Sequence, residues 1–186
     1  MVDYTLQSFV KDLDAITNAE TDPAVITAEA APLLARLCRN SQAIPAQYRT
    51  APAGQRGRYM LHRAPRFNVT SVIWRPGDEA GSHDHETWGL VGVVENEIQE
   101  TRYTSAGPRD MGGTVQLKVR EVLRHQPGAV SVLIPPHDEI HAMLNPTAKD
   151  TLEIHVYGKD LAGLQRHLFD KDGRVKSLVS SKYMNC

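Results

Sequence analysis

From Tyr59 onward the chain is cut into short segments by turn-forming residues, and this pattern restricts its folds more than any other feature. Residues 59–62, 68–74, 87–94, 98–103, 115–123, 129–134 and 151–157 are short and rich in Val, Ile, Thr and Tyr. Pro76-Gly77, Gly107-Pro108, Gly112-Gly113 and Pro127-Gly128 separate several of them. β-Branched and aromatic runs bounded by Pro and Gly read as strands. A further strand or hairpin is expected within 164–179, turning near Lys171-Asp172-Gly173. So many short strands predict a closed barrel or a two-sheet jelly roll, since closure removes exposed edges.

The N-terminal part has a different texture. Leu6, Phe9, Val10, Leu13 and Ile16 recur at helical spacing and predict a helix over 5–19. Thr21-Asp22-Pro23 marks a break and a new start. The Ala- and Leu-rich stretch 24–39 predicts one or two more helices, interrupted near Pro32. Residues 41–58 carry Pro45, Pro52, Gly54 and Gly57 and read as a wrapping loop. The 186 residues fit a single domain, with a helical element over 1–40 and a barrel over 58–180. With 21 Lys plus Arg against 22 Asp plus Glu, the net charge of -1 argues against a nucleic-acid binder. No apolar stretch is long enough to span a membrane. The first residues lack the apolar core of a secretory signal, and Cys38 and Cys186 read as plain thiols of a reducing compartment. The expected location is the cytoplasm, and no membrane partner is expected.

Eight histidines carry more information: His62, His83, His85, His125, His137, His141, His155 and His167. His83 and His85 are two apart, and alternate residues of a strand share a face, so both imidazoles could reach one ion. A third must come from a distant strand. His141 is the choice and His137 the alternative, although Pro135 and Pro136 put His137 in a turn. Three neutral imidazoles suit Fe, Ni, Cu or Zn.

These residues resemble the cupin superfamily. Its first motif runs from a glycine through His-x-His to a glutamate and a second glycine. Its second motif runs from Pro-x-Gly through a histidine to an asparagine. Gly77, His83 and His85 match the first, and Pro136, His141 and Asn145 match the second, with Asp138 in place of the glycine. The first-motif glutamate is absent, since Gly89 and Leu90 occupy its positions. A three-histidine cupin without an acidic ligand resembles the cysteine dioxygenase family of thiol dioxygenases. Trp74-Arg75-Pro76-Gly77, the stretch His83 to Gly89, and Ile154 to Gly158 support that narrower likeness. The Trp88-Gly89 form is similar to the bacterial branch that includes 3-mercaptopropionate and mercaptosuccinate dioxygenases. The resemblance covers about residues 55–180 and implies an all-β, cupin-type jelly-roll barrel holding mononuclear non-heme Fe(II) on His83, His85 and His141.

Glu153, His155 and Tyr157 alternate, so they lie on one face of a strand, with Ile154 and Val156 on the other. The resemblance implies a Ser-His-Tyr relay here, matched by His155 and Tyr157, with Glu153 in the serine position. A carboxylate there accepts the imidazole proton. No cysteine stands where cysteine dioxygenases crosslink this tyrosine, so no thioether is expected. Arg58 matches the carboxylate-binding arginine of cysteine dioxygenases, and Arg166 that of the mercaptopropionate group. Arg63 and Arg66 have weaker positional support. Two guanidiniums in one pocket suit a dicarboxylic thiol. The expected function is an Fe(II) thiol dioxygenase that takes a small mercapto-carboxylate and dioxygen to a sulfinate, mercaptosuccinate first, then 3-mercaptopropionate, then cysteine. The competing readings are another three-histidine cupin chemistry, such as diketone dioxygenation, and a non-catalytic cupin that binds a small acid. Either a monomer or a homodimer is compatible with such a barrel.

Overall fold

The computed structural model describes residues 4–186. Helix α1, Leu6–Ala19, starts where the Thr5 side chain accepts the Ser8 N–H. Its Phe9 and Leu13 are fully buried, and Leu6, Val10 and Ile16 pack beside them. Helix α2, Pro23–Cys38, is capped by Asp22, whose carboxylate accepts the Ala24 N–H. The interruption expected near Pro32 does not occur, and α2 is one helix. Pro32 and Ala28, the residue whose carbonyl loses its partner, both lie on the exposed face, where water can replace the missing bond. Within the expected loop, 3₁₀ turns form at Ser41–Ala43 and Ala46–Tyr48.

Eleven strands follow: β1 Gly57–Arg63, β2 Asn68–Trp74, β3 Glu79–His83, β4 Gly89–Glu95, β5 Ile98–Ala106, β6 Gln116–His125, β7 Val130–Leu133, β8 His141–Leu144, β9 Thr151–Tyr157, β10 Gln165–Phe169 and β11 Val175–Val179. They form two sheets of orders β1-β2-β9-β4-β7 and β11-β10-β3-β8-β5-β6, with every named pairing antiparallel. This is the expected two-sheet jelly roll with a small helical element. The expected C-terminal hairpin is β10–β11. Strands β3 and β8 lay outside the expected segments. Neither Glu-Ala-Gly-Ser-His nor His-Ala-Met-Leu contains a β-branched residue, so pairing with neighbours, not local propensity, makes them strands.

Both faces of the five-stranded sheet are covered. Its outer face, with Val69, Ile73, Leu90, Ile154 and Val156, packs on Phe9, Leu13, Leu34 and Leu37 of the helices. Contact is close at Gly92 of β4, where a Cβ would stand 2.6 Å from Cys38 Sγ. Its inner face, with Val72, Trp74, Val91, Val93, Leu133 and Tyr157, meets Ile98 and Met143 of the other sheet. The inner layer is open at one end, and the polar residues of interest gather there. Among the described residues no helix is long and apolar enough to cross a membrane.

Candidate metal centre

Pairing in the six-stranded sheet assembles three imidazoles. His83 at the end of β3 lies directly opposite His141 of β8. His85 sits two residues beyond β3's last ladder position, before the chain turns at Glu86, which has a φ of 55°. The three ring centroids are 4.8, 4.9 and 4.9 Å apart, and one nitrogen from each ring lies within 4.8 Å of the others. His137, the alternative, lies exposed in the turn before Asp138, outside this cluster.

The donor set fits a transition metal. Burial, reinforced by neighbouring imidazoles and Arg166, pushes His83 and His85 well below the ordinary histidine range, so they are neutral. Gly81 O lies 2.8 Å from His83 Nδ1, and Glu100 Oε1 lies 2.6 Å from His141 Nδ1. Both contacts leave Nε2 to bind a metal. His85 Nδ1 is buried without a hydrogen-bond partner, and its ring stacks on Tyr157 with centroids 5.3 Å apart.

The cluster opens into a cavity of about 530 Å³. Strand β9 forms part of its wall, with Glu153, His155 and Tyr157 facing inward and buried. Glu153 Oε2 accepts from Trp74 Nε1 at 2.5 Å and lies 2.9 Å from His155 Nε2. His155 Nδ1 lies 3.0 Å from the Tyr157 hydroxyl. Burial pushes the Tyr157 phenol above its ordinary value, so it keeps its proton. With Nε2–H directed at Glu153, Nδ1 accepts a hydrogen bond from the phenol. Gly89 pairs opposite Tyr157, and a Cβ there would stand 2.7 Å from its ring. The tyrosine therefore lies against bare backbone.

Arg58 and Arg166 both line this cavity. Arg166, 3 % exposed, donates to Asp84 O at 2.7 Å and Ser180 Oγ at 2.5 Å, while its Nε has no partner. Arg58 donates to Ser181 O at 2.6 Å, and its guanidinium lies over the Tyr183 ring at 4.4 Å. Among the described residues no carboxylate lies at ion-pair distance from either arginine. Arg63 and Arg66 lie elsewhere, on Asp160 and on the α1 residues Thr17 and Asn18.

Several residues around the centre were not foreseen. Arg56 also lines the cavity, its guanidinium 3.7 Å from the Trp74 ring centroid. Its signal was the Arg56-x-Arg58 alternation. Behind the histidines, Glu139 accepts the backbone N–H groups of His85 and Glu86, each at 3.0 Å. Asp84 accepts from His167 N at 2.8 Å and lies 2.7 Å from its Nδ1. Arg109, from the β5–β6 connection, bridges Asp84 and Glu139 at 3.1 and 2.7 Å. Asp84, Glu86 and His167 form a second group with close ligand atoms. There the Arg109 guanidinium already supplies the positive charge. Glu100 is fully buried. Burial opposes its ionisation, but the bonds with His125 and His141 outweigh this and hold it below the ordinary carboxylate range.

No known family profile matches the chain. Among solved structures it is similar to a cupin superfamily protein from Desulfitobacterium hafniense, at 13% identity over 66% of this chain and 89% of that one, with a TM-score of 0.44. A conserved protein with a double-stranded β-helix domain from Klebsiella pneumoniae gives 15% identity, 73% and 88% coverage, and a TM-score of 0.45. The DMSP lyase DddQ from Ruegeria pomeroyi gives 14%, 63% and 55%, and 0.42. The roles of the site residues rest on their own geometry. Two antiparallel sheets in this order, with three histidines converging at the open end between them, make the chain a cupin-type jelly-roll barrel with a site suited to a metal.

Proposed function

We propose that the chain is an Fe(II)-dependent thiol dioxygenase that converts a small mercapto-carboxylate to its sulfinate, with mercaptosuccinate preferred. The observation that carries this reading is Arg166, a buried guanidinium without a carboxylate partner, in the same cavity as three convergent imidazoles. A buried charge is costly to leave unpaired, so the cavity is suited to an anionic ligand. Three neutral imidazoles also leave a divalent ion's charge uncompensated, and a substrate thiolate supplies one negative charge. Iron on His83, His85 and His141 would supply coordination for thiolate and dioxygen and the redox path between them. The sulfur provides all the electrons that dioxygen accepts, and both oxygen atoms end on it, so no organic cofactor is needed.

The chain's own groups then have separate tasks. Arg166 holds one substrate carboxylate. Arg58 favours a second, which singles out mercaptosuccinate over 3-mercaptopropionate, while the ammonium of cysteine is repelled by both guanidiniums. Glu153 orients His155, and His155 holds the Tyr157 hydroxyl at the cavity wall. Leu161 and Leu168 restrict water there. Oxygen uptake and sulfinate formation with the three thiols test this assignment. The expected order of kcat/KM is mercaptosuccinate, 3-mercaptopropionate, cysteine. A highest value for cysteine overturns the two-arginine ranking. Binding of these acids without oxygen uptake by the iron-loaded protein would make it a non-catalytic acid-binding cupin.

Tyr157→Phe should keep iron at the wild-type level, because the phenol oxygen contacts His155 and not the imidazole cluster. Sulfinate formation should slow about tenfold or more, or uncouple from oxygen uptake, as for loss of a positioned proton donor. Unchanged rate and coupling would remove Tyr157 from the mechanism.

A further inference from the structure

Glu100 lies on β5, beside β8 in the sheet that carries His83 and His141. Arg102 is directly opposite His141, so Glu100 is the diagonal neighbour of His141 on the same inward face. The carboxylate is 0 % exposed. Oε1 lies 2.6 Å from His141 Nδ1, Oε2 lies 2.8 Å from His125 Nε2, and Ser131 Oγ donates to both oxygens at 2.9 Å. Arg102 Nη1 in turn donates to Ser131 Oγ at 3.1 Å. Three strands, β5, β6 and β7, thus supply groups that hold one carboxylate behind one imidazole.

Folding does not demand this arrangement. An apolar side chain at that depth would avoid the cost of desolvating a charge. The arrangement does answer a need of the three-imidazole set, which contains no negative group. His83 meets only a neutral carbonyl through its Nδ1, and His85 Nδ1 meets nothing. His141 alone of the three is joined to a carboxylate among the described residues.

We propose that Glu100 is a positioning residue of the metal centre. It keeps the His141 proton on Nδ1, turns Nε2 toward the metal, and supplies through that imidazole the negative charge the ligand set lacks. An imidazole hydrogen-bonded to a carboxylate is a stronger donor, and losing such a partner costs about 10- to 100-fold in metal affinity. This inference rests on the three histidines being the metal site, and its test does not depend on thiol oxidation.

The test is anaerobic titration of metal-free protein with Co(II), read from the visible absorption of the bound ion. Glu100→Gln keeps an oxygen that can accept the Nδ1–H but removes the charge. Its Co(II) dissociation constant should rise about 10- to 100-fold, with a shifted absorption band. Ser131→Ala removes one donor and leaves the charge, so its constant should move by no more than about fivefold. Wild-type affinity and spectrum in Glu100→Gln would overturn the proposal. A second measurement needs no variant. In ¹⁵N-histidine NMR of the Zn(II)-loaded wild type, His141 should carry its proton on Nδ1 and the metal on Nε2, and the reverse assignment would overturn the proposal. His83→Ala separates the two ideas. If it loses Co(II) and Glu100→Gln does not, the role of Glu100 fails alone. If His83→Ala binds Co(II) like wild type, the metal-site reading fails with it.

Discussion

His141→Ala is expected to leave purified protein nearly free of iron and without measurable thiol oxidation, while His137→Ala keeps both at wild-type levels. Loss of a partner behind a ligand costs about 10- to 100-fold in affinity, so loss of the ligand itself should cost more than about a hundredfold. The two histidines are four residues apart, yet one is buried in the imidazole cluster and the other is exposed in a turn. His141 ends in a cavity and not in an apolar core, so the variant should fold. Iron per chain by elemental analysis, with circular dichroism as the fold control, checks this. Full iron in His141→Ala together with loss in His137→Ala would transfer the third ligand to His137.

Arg166→Met is expected to lose activity while keeping nearly wild-type stability. Truncating one member of a buried, hydrogen-bonded charge pair costs about 2–5 kcal/mol. If Arg166 pairs with the substrate carboxylate, kcat/KM for mercaptosuccinate should fall between roughly thirtyfold and a few thousandfold. Iron content should not change. In the substrate-free protein the guanidinium has no carboxylate partner, and burying an unpaired ion costs several kcal/mol. The two hydrogen bonds it makes come from a charged donor and return about 1.5–3 kcal/mol each. The two contributions nearly cancel, so the ligand-free variant should melt close to wild type. Arg58→Gln should act more weakly, because Arg58 is less buried and already lies on Tyr183, and should move preference toward 3-mercaptopropionate. A Tm well below wild type, or unchanged kcat/KM, would show that Arg166 is a structural group and not a waiting anion site.

Local chemistry decided which parts of this structure could be read from the sequence. Strands β2 and β9 are buried throughout and rich in β-branched residues, so they stood out. His83 and His85 were legible because the spacing of two residues is itself the geometric argument. His141 needed a paired motif, since its short strand has no strand-like composition. Glu153 was legible by alternation with His155 and Tyr157, although its bond to Trp74 was not. Glu100 and Arg109 had no local signal. Glu100 meets His141 across 41 residues of sequence through a β5–β8 pairing, and Arg109 reaches Asp84 and Glu139 from a connection between strands. Such partners are chosen by sheet register, which a linear pattern does not reveal.

Strand β9 assigns its residues by parity. Leu152, Ile154 and Val156 belong to the apolar layer under the helices, while His155 and Tyr157 line the cavity and Glu153 stands behind them on the same face. For protein engineering, this makes the strand two independent libraries in one stretch of sequence. Codons for His155 and Tyr157 can be varied to search for new chemistry while the layer under the helices is left intact. Codons for the even positions can be varied for thermal robustness with little effect on turnover. Deleting a single codon within the strand would exchange the two sets and abolish both properties together.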